Sequence, residues 1–174
     1  MPDLLDFIRD VPGFPREGVV FKDITPLLAD AAALKEAVSR IAEHFRNSEV
    51  GLVAAVEARG FIFGAAVAVE LGAGFVPLRK PGKLPWHTAN KTYQLEYGTD
   101  AVEIHRDAVA PGARVLMVDD LLATGGTMAA ACDLVEDLGG QIVGCAFVIE
   151  LAFLHGRERL TDYDVLSLIT YDTQ

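Results

Sequence analysis

Short apolar runs alternate with helical stretches along most of this chain, and that alternation limits the class of fold open to it. The runs occupy residues 51–56, 74–78, 113–118, 142–149 and 165–169. Between them, residues 60–71 read as a helix ended by Gly72, and residues 127–138 as a helix closed by Gly139 and Gly140. Upstream, Asp30 is placed to cap a helix carrying Leu34, Val38, Ile41 and Phe45 at helical spacing. Residues 102–105 alternate as a half-buried strand would. Buried strands separated by helices of about 10–15 residues form right-handed βαβ units on a parallel sheet. The expectation is one α/β domain spanning residues 1–174, with a mostly parallel central sheet flanked by helices. In such sheets ligands bind beyond the carboxyl ends of the strands, which directs attention to the loops after Val56, Leu78 and Val118.

The net charge of −10 argues against a general nucleic-acid or anionic-membrane surface, where basic faces supply the affinity. Asp3 and Asp6 stand where a secretory signal would carry bases. The longest uncharged apolar stretch, residues 60–69, is closed by Glu70, well short of the roughly 20 residues a membrane span needs. Cys132 and Cys145 lie in helical and strand-like patterns and are expected to behave as small buried hydrophobes. His44, His87, His105 and His155 form no zinc-ligand spacing. A cytoplasmic protein is the expectation. The charge is also uneven. Residues 71–95 contain no Asp or Glu but carry Arg79, Lys80, Lys83 and Lys91. A basic island of that size suits a small polyanion. Pro81, Gly82 and Pro85 mark the same stretch as a long loop able to serve as a lid.

The most informative loop follows the strongest apolar run. Asp119 and Asp120 lead through Leu121, Leu122 and Ala123 to Thr124, Gly125, Gly126 and Thr127, where a helix begins. Bare backbone N–H groups and two hydroxyls at a helix N-terminus form an anion cradle, because unpaired amides and the helix dipole both favour phosphate. Two acids beside a phosphate site make sense if they accept hydrogen bonds from hydroxyls of the same ligand. Ribose 5-phosphate has that arrangement. No Gly-Lys-Ser/Thr ending and no GxGxxG is present. Glu57, Ala58, Arg59 and Gly60 open the helix after residues 51–56 as a second anion site, and Arg59 adds a forked donor.

The stretch 115–127 resembles the 5-phosphoribosyl-1-diphosphate (PRPP) motif of the type I phosphoribosyltransferases. Four further blocks are similar, in order, to the adenine-specific branch of that family: residues 14–15 with 18–28, 57–61, 77–85, and 93–98 with Asp100. The resemblance covers nearly the whole chain. It implies a small N-terminal hood within residues 1–30 and a flexible catalytic loop over residues 79–98. It further implies transfer of the phosphoribosyl group of PRPP to adenine, forming AMP and diphosphate in purine salvage. Asp119 and Asp120 would take the ribose hydroxyls, and Ala123, Thr124, Gly125, Gly126 and Thr127 the 5-phosphate. Glu57, Ala58, Arg59 and Gly60 would form the diphosphate loop, with Arg79, Lys80, Lys83 and Tyr97 also contributing to PRPP or AMP binding. Glu96, Arg59 and Lys80 would be catalytic, with Glu96 managing the proton on adenine N7. Val20, Phe21, Lys22 and Leu121 would hold the base. Mg²⁺ would arrive on substrate oxygens with no direct protein ligand, and the chain would form a homodimer in which Arg79 or its neighbours serve the partner's site. A transferase for another base, a PRPP-sensing regulator and a plain nucleotide-binding module are the alternatives.

Overall fold

The computed structural model describes residues 2–94 and 98–174. A 3₁₀ turn, Leu4–Phe7, precedes a hairpin of β1 (Arg9–Pro12) and β2 (Val20–Asp23). Then come α1 (Thr25–Ala29), α2 (Ala31–Phe45), β3 (Leu52–Val56), α3 (Gly60–Leu71), β4 (Gly74–Leu78), β5 (Thr88–Gln94) and β6 (Thr99–His105). The chain ends with β7 (Arg114–Leu122), α4 (Gly126–Asp137), β8 (Gln141–Leu151) and β9 (Val165–Tyr171).

Five strands form one parallel sheet in the order β4-β3-β7-β8-β9. Its apolar runs are continuous because both faces are covered. Successive residues of β7 enter opposite layers: Val115 and Met117 pack with α4, whereas Leu116 and Val118 pack with α2 and α3. The expected helices follow the expected local chemistry. Asp30 accepts from the amides of Ala32 and Ala33 at 2.9 Å each, and α3 ends on Gly72 with φ +68°. Cys132 and Cys145 are buried, with their sulfurs 3.7 Å apart between α4 and β8. That hydrogen bond, together with burial, pushes the Cys132 thiol up. Among the described residues no helix is long and apolar enough to cross a membrane.

Two stretches differ from the sequence-based expectation. The central strand does not stop at Val118. Asp119, Leu121 and Leu122 keep their register with Phe147, Ile149 and Glu150 of β8, so the acidic pair belongs to the strand. Within the expected loop 79–98, β5 pairs with all seven residues of β6. Its polar composition hid a strand that packs on α4, where Lys91 meets Asp133 at 3.2 Å and Asp137 at 3.6 Å.

Gly144 of β8 is packed without room for a side chain. A Cβ there would fall on the Phe45 ring and lie 2.8 Å from the Asp164 carbonyl. Gly144→Ala is expected to destabilise the fold by about 1–3 kcal/mol, read as a lower urea midpoint with an unchanged slope.

Candidate active site

The loop between β7 and α4 is shaped by its glycines. Gly125 caps α4 with φ +78°, and among the described residues no side chain caps the helix; its first-turn amides have no intrahelical partner. They face a cavity of about 90 Å³ lined by Asp119 and residues 121–128. A wider cleft of about 250 Å³ adjoins it. Glu57, Ala58, Arg59, Lys80, Asp119, Asp120, Leu121 and Thr127 all line that cleft, together with Val56, Tyr93 and Asp100.

The turn after β3 carries a cis peptide between Glu57 and Ala58 and brings Arg59 to the acidic pair. Arg59 Nε lies 2.9 Å from Asp120 Oδ2, and Asp120 is only 5% exposed. Asp119 Oδ1 accepts the Asp120 amide at 2.9 Å. Gly60 permits this proximity, since a Cβ there would lie 2.6 Å from Asp119 Oδ1. Burial, reinforced by the neighbouring Asp120 charge, pushes the Asp119 carboxyl well up. Burial also raises Asp120, against the pull of Arg59.

Arg79, Lys80 and Lys91 of the basic segment are each paired with an acid. Arg79 donates to Glu57 Oε2 from Nε at 3.2 Å and from Nη2 at 3.0 Å, and from Nη1 to the Lys83 carbonyl at 3.1 Å. The Lys80 amide donates to Glu57 Oε1 at 2.6 Å. Burial raises Glu57, but the Lys80 amide and Arg79 outweigh it and hold the carboxyl below its ordinary value. Lys80 Nζ pairs with Asp100 Oδ2. The Tyr93 hydroxyl donates to the same oxygen at 3.2 Å and accepts from Thr127 Oγ1 at 3.1 Å. Hydrogen bonds therefore join the anion cradle to Lys80. Lys83 is exposed and stands outside the cleft lining.

The β1–β2 hairpin closes the other side. Gly13 N–H donates to the Val19 carbonyl at 2.8 Å, and the register pairs Val11 with Phe21. Antiparallel alternation then turns the N–H and C=O of Val20 and Lys22 away from β1. Among the described residues β2 has no other strand neighbour, so those groups form a free edge. Phe21 lies over the Arg59 guanidinium, 5.1 Å from ring centre to Cζ. The Lys22 ammonium points elsewhere, 2.8 Å from Asp10 and 4.1 Å above the Tyr171 ring.

Of the residues singled out in the sequence, Glu96 and Tyr97 lie outside the described residues. Tyr93 and Asp100 belong to the site although neither was assigned a role. Their signal was the hairpin register, which places them directly opposite each other.

A family model described as the phosphoribosyl transferase domain matches residues 22–174. The chain belongs to this family. Among curated phosphoribosyl transferases, it is 59% identical to a Nitrosococcus oceani protein named adenine phosphoribosyltransferase, covering 94% of this chain and 96% of the relative. Identity is 57% with the protein of that name from Chloroflexus aurantiacus, over 97% and 98% of the two chains. The crystal structure of adenine phosphoribosyltransferase from Thermoanaerobacter pseudethanolicus superposes with a TM-score of 0.94 at 53% identity, over 97% of this chain and 98% of that one. The Saccharomyces cerevisiae enzyme, solved with an imino-altritol bisphosphate and adenine, gives 0.91 at 38% identity over 95% and 96%. The parallel sheet and its flanking helices are thus the type I phosphoribosyltransferase fold.

In this phosphoribosyl transferase the raised Asp119 has a stability consequence of definite sign. Unfolded, the group ionises near 3.8; folded, it keeps its proton to higher pH. Its ionisation therefore costs stability above the folded value, and the cost vanishes as pH falls through that value to 3.8. Asp119→Asn keeps an acceptor for the Asp120 amide. The variant is expected to melt higher than the parent chain at neutral pH, with the gap closing on acidification.

Proposed function

We propose that the chain transfers the 5-phosphoribosyl group of PRPP to adenine, giving AMP and diphosphate, as a step of purine salvage. The observation that carries this reading is the free edge of β2, with Phe21 held over Arg59 beside a cleft that also contains an anion cradle and two acids. Within one extended strand, the Val20 carbonyl can accept from the adenine amine and the Lys22 amide can donate to N1. Hypoxanthine presents the reverse pattern at those two atoms, so the same edge meets it acceptor to acceptor and donor to donor.

The amides of the cradle and the hydroxyls of Thr124 and Thr127 hold the 5-phosphate. Asp119 and Asp120 accept from the ribose hydroxyls and stabilise positive charge developing on the sugar. Arg59, Lys80 and the turn at residues 57–60 receive the diphosphate, with Arg79 nearby. The adenine N9 lone pair bonds to the sugar carbon, the bond from that carbon to the diphosphate oxygen breaks with its electron pair, and the N7 proton passes to Glu96. Among the described residues no three His, Cys, Asp or Glu side chains converge to hold a metal, and Asp120 is already paired with Arg59. That donor set suits Mg²⁺ carried mainly by substrate oxygens, where it would neutralise the leaving diphosphate.

A homodimer belongs to the same reading. Ile62 and Val69, seven residues apart, share a face of α3 and stand exposed. Sedimentation at twice the 18.7 kDa chain mass is expected; a monomer at working concentration would remove this part of the proposal.

Labelled adenine incubated with PRPP and Mg²⁺ is expected to yield AMP, and hypoxanthine to react at least about 100-fold less efficiently. No AMP from the pure protein overturns the proposal. Glu96→Gln should lower kcat by about 10²–10⁴ with PRPP affinity nearly kept. Loss of PRPP binding in that variant would mean that its role is misplaced.

A further inference from the structure

The anion cradle rests on a segment that neither the motif nor the mechanism uses. Gly156 packs its bare backbone against residues 123–125. A Cβ on Gly156 would run into the Ala123 carbonyl and stand 3.0 Å from the Gly125 nitrogen, and a Cβ on Gly125 would meet the Gly156 carbonyl. The position of Gly156 therefore sets how far the cradle can shift away from its ligand.

Gly156 itself belongs to weak local structure. It opens a single 3₁₀ turn, Gly156–Arg159, after His155 in the left-handed region, and such turns have little stability of their own. Arg157 supplies the anchor. Its Nε donates to Glu150 Oε1 at 3.0 Å, its Nη2 to Glu150 Oε2 and to Ser167 Oγ, and its Nη1 to the Val165 carbonyl at 2.8 Å. Glu150 is 5% exposed and is the register partner of Leu122, the last residue of β7 before the cradle. The turn is thus bolted to the rung of the sheet from which the cradle departs, and through β9 to the next strand. A forked guanidinium can make all these contacts at once, whereas an ammonium cannot.

We propose that Arg157, held by Glu150, is a positioning residue for the sugar 5-phosphate, pressing the Gly156 backbone against residues 123–125 and so fixing the shape of the cradle. This rests on the reading above that the cradle receives the 5-phosphate.

Calorimetric titration with ribose 5-phosphate and, separately, with inorganic diphosphate tests it on the parent chain and on Arg157→Lys, Arg157→Ala, Glu150→Gln and Gly156→Ala, with a melting curve for each. Ribose 5-phosphate is expected to bind about tenfold or more weakly in every folded variant, with Arg157→Lys recovering part of the loss seen in Arg157→Ala. Diphosphate should stay within about twofold, and in turnover KM for PRPP should rise while KM for adenine holds. Arg157→Ala strands a buried carboxylate; if it fails to fold, Arg157→Lys and Gly156→Ala decide the matter. Unchanged ribose 5-phosphate binding in those two, or equal loss of both ligands, overturns the proposal. If the parent chain binds ribose 5-phosphate with this sensitivity yet makes no AMP, the transferase reading falls and the positioning role stands. An active parent whose variants bind normally has the opposite meaning.

Discussion

Two adjacent carboxylates at the desolvated end of the central strand are the constraint around which the site is arranged. Burial opposes ionisation of both Asp119 and Asp120, and among the described residues only Asp120 has a cation in direct contact, Arg59 at 2.9 Å. Arg59 stands where it does because β3 is parallel to β7 and adjacent to it, so the turns leaving both strands emerge at the same sheet edge. The ion pair thereby links the turn after β3 to the acidic pair at the end of β7. It also gives the β1–β2 hairpin a surface, since the Phe21 ring covers the same guanidinium. Site chemistry and hairpin position share one side chain.

Close backbone approach is the second requirement. Gly60 leaves space for Asp119, and Gly125 and Gly156 touch through main-chain atoms alone. At these contacts any side chain would displace either the Asp119 carboxylate or the loop between β7 and α4. The favourable terms are individually modest, as charge-assisted hydrogen bonds usually are. Their value lies in holding donors at fixed positions before a ligand arrives, which is the form of electrostatic stabilisation that needs no reorganisation during reaction.

Much of this was legible in the sequence, for a physical reason. Strands buried on both faces print as apolar runs, and helices that end on glycine print as abrupt stops; the run at residues 74–78 and the helix at residues 60–71 coincide with the observed elements. Patterns failed where polarity and regular structure coincide. Asp119 and Asp120 interrupt an apolar run without ending the strand, because β8 continues to pair alongside it. The β5 strand, with Thr88, Asn90 and Thr92 on alternate positions, resembles a loop in composition and is identified only by its partner β6. Glu150 and Arg157 carried no motif at all, because their importance comes from a contact between main chains that no local pattern encodes.

The overall charge of −10 is likewise an average over unlike parts, and the structure adds a further step to that argument. The basic segment stays among acids in the described chain: Arg79 rests on Glu57, Lys80 on Asp100, and Lys91 on Asp133 and Asp137. Burial lowers the Lys80 ammonium, but its contacts with Asp100 and Tyr93 together outweigh that and hold it above its ordinary value, while the Lys80 contact lowers Asp100. A cation with a carboxylate partner attracts a diphosphate only by the difference between two pairings, not by its full charge. Lys91 is committed to α4 and fixes the hairpin, whereas Lys80 lies in the cleft and is linked through Asp100 and Tyr93 to Thr127. Local charge thus includes a lysine that builds the scaffold and another whose partner can be exchanged, a distinction that neither net charge nor a count of lysines contains.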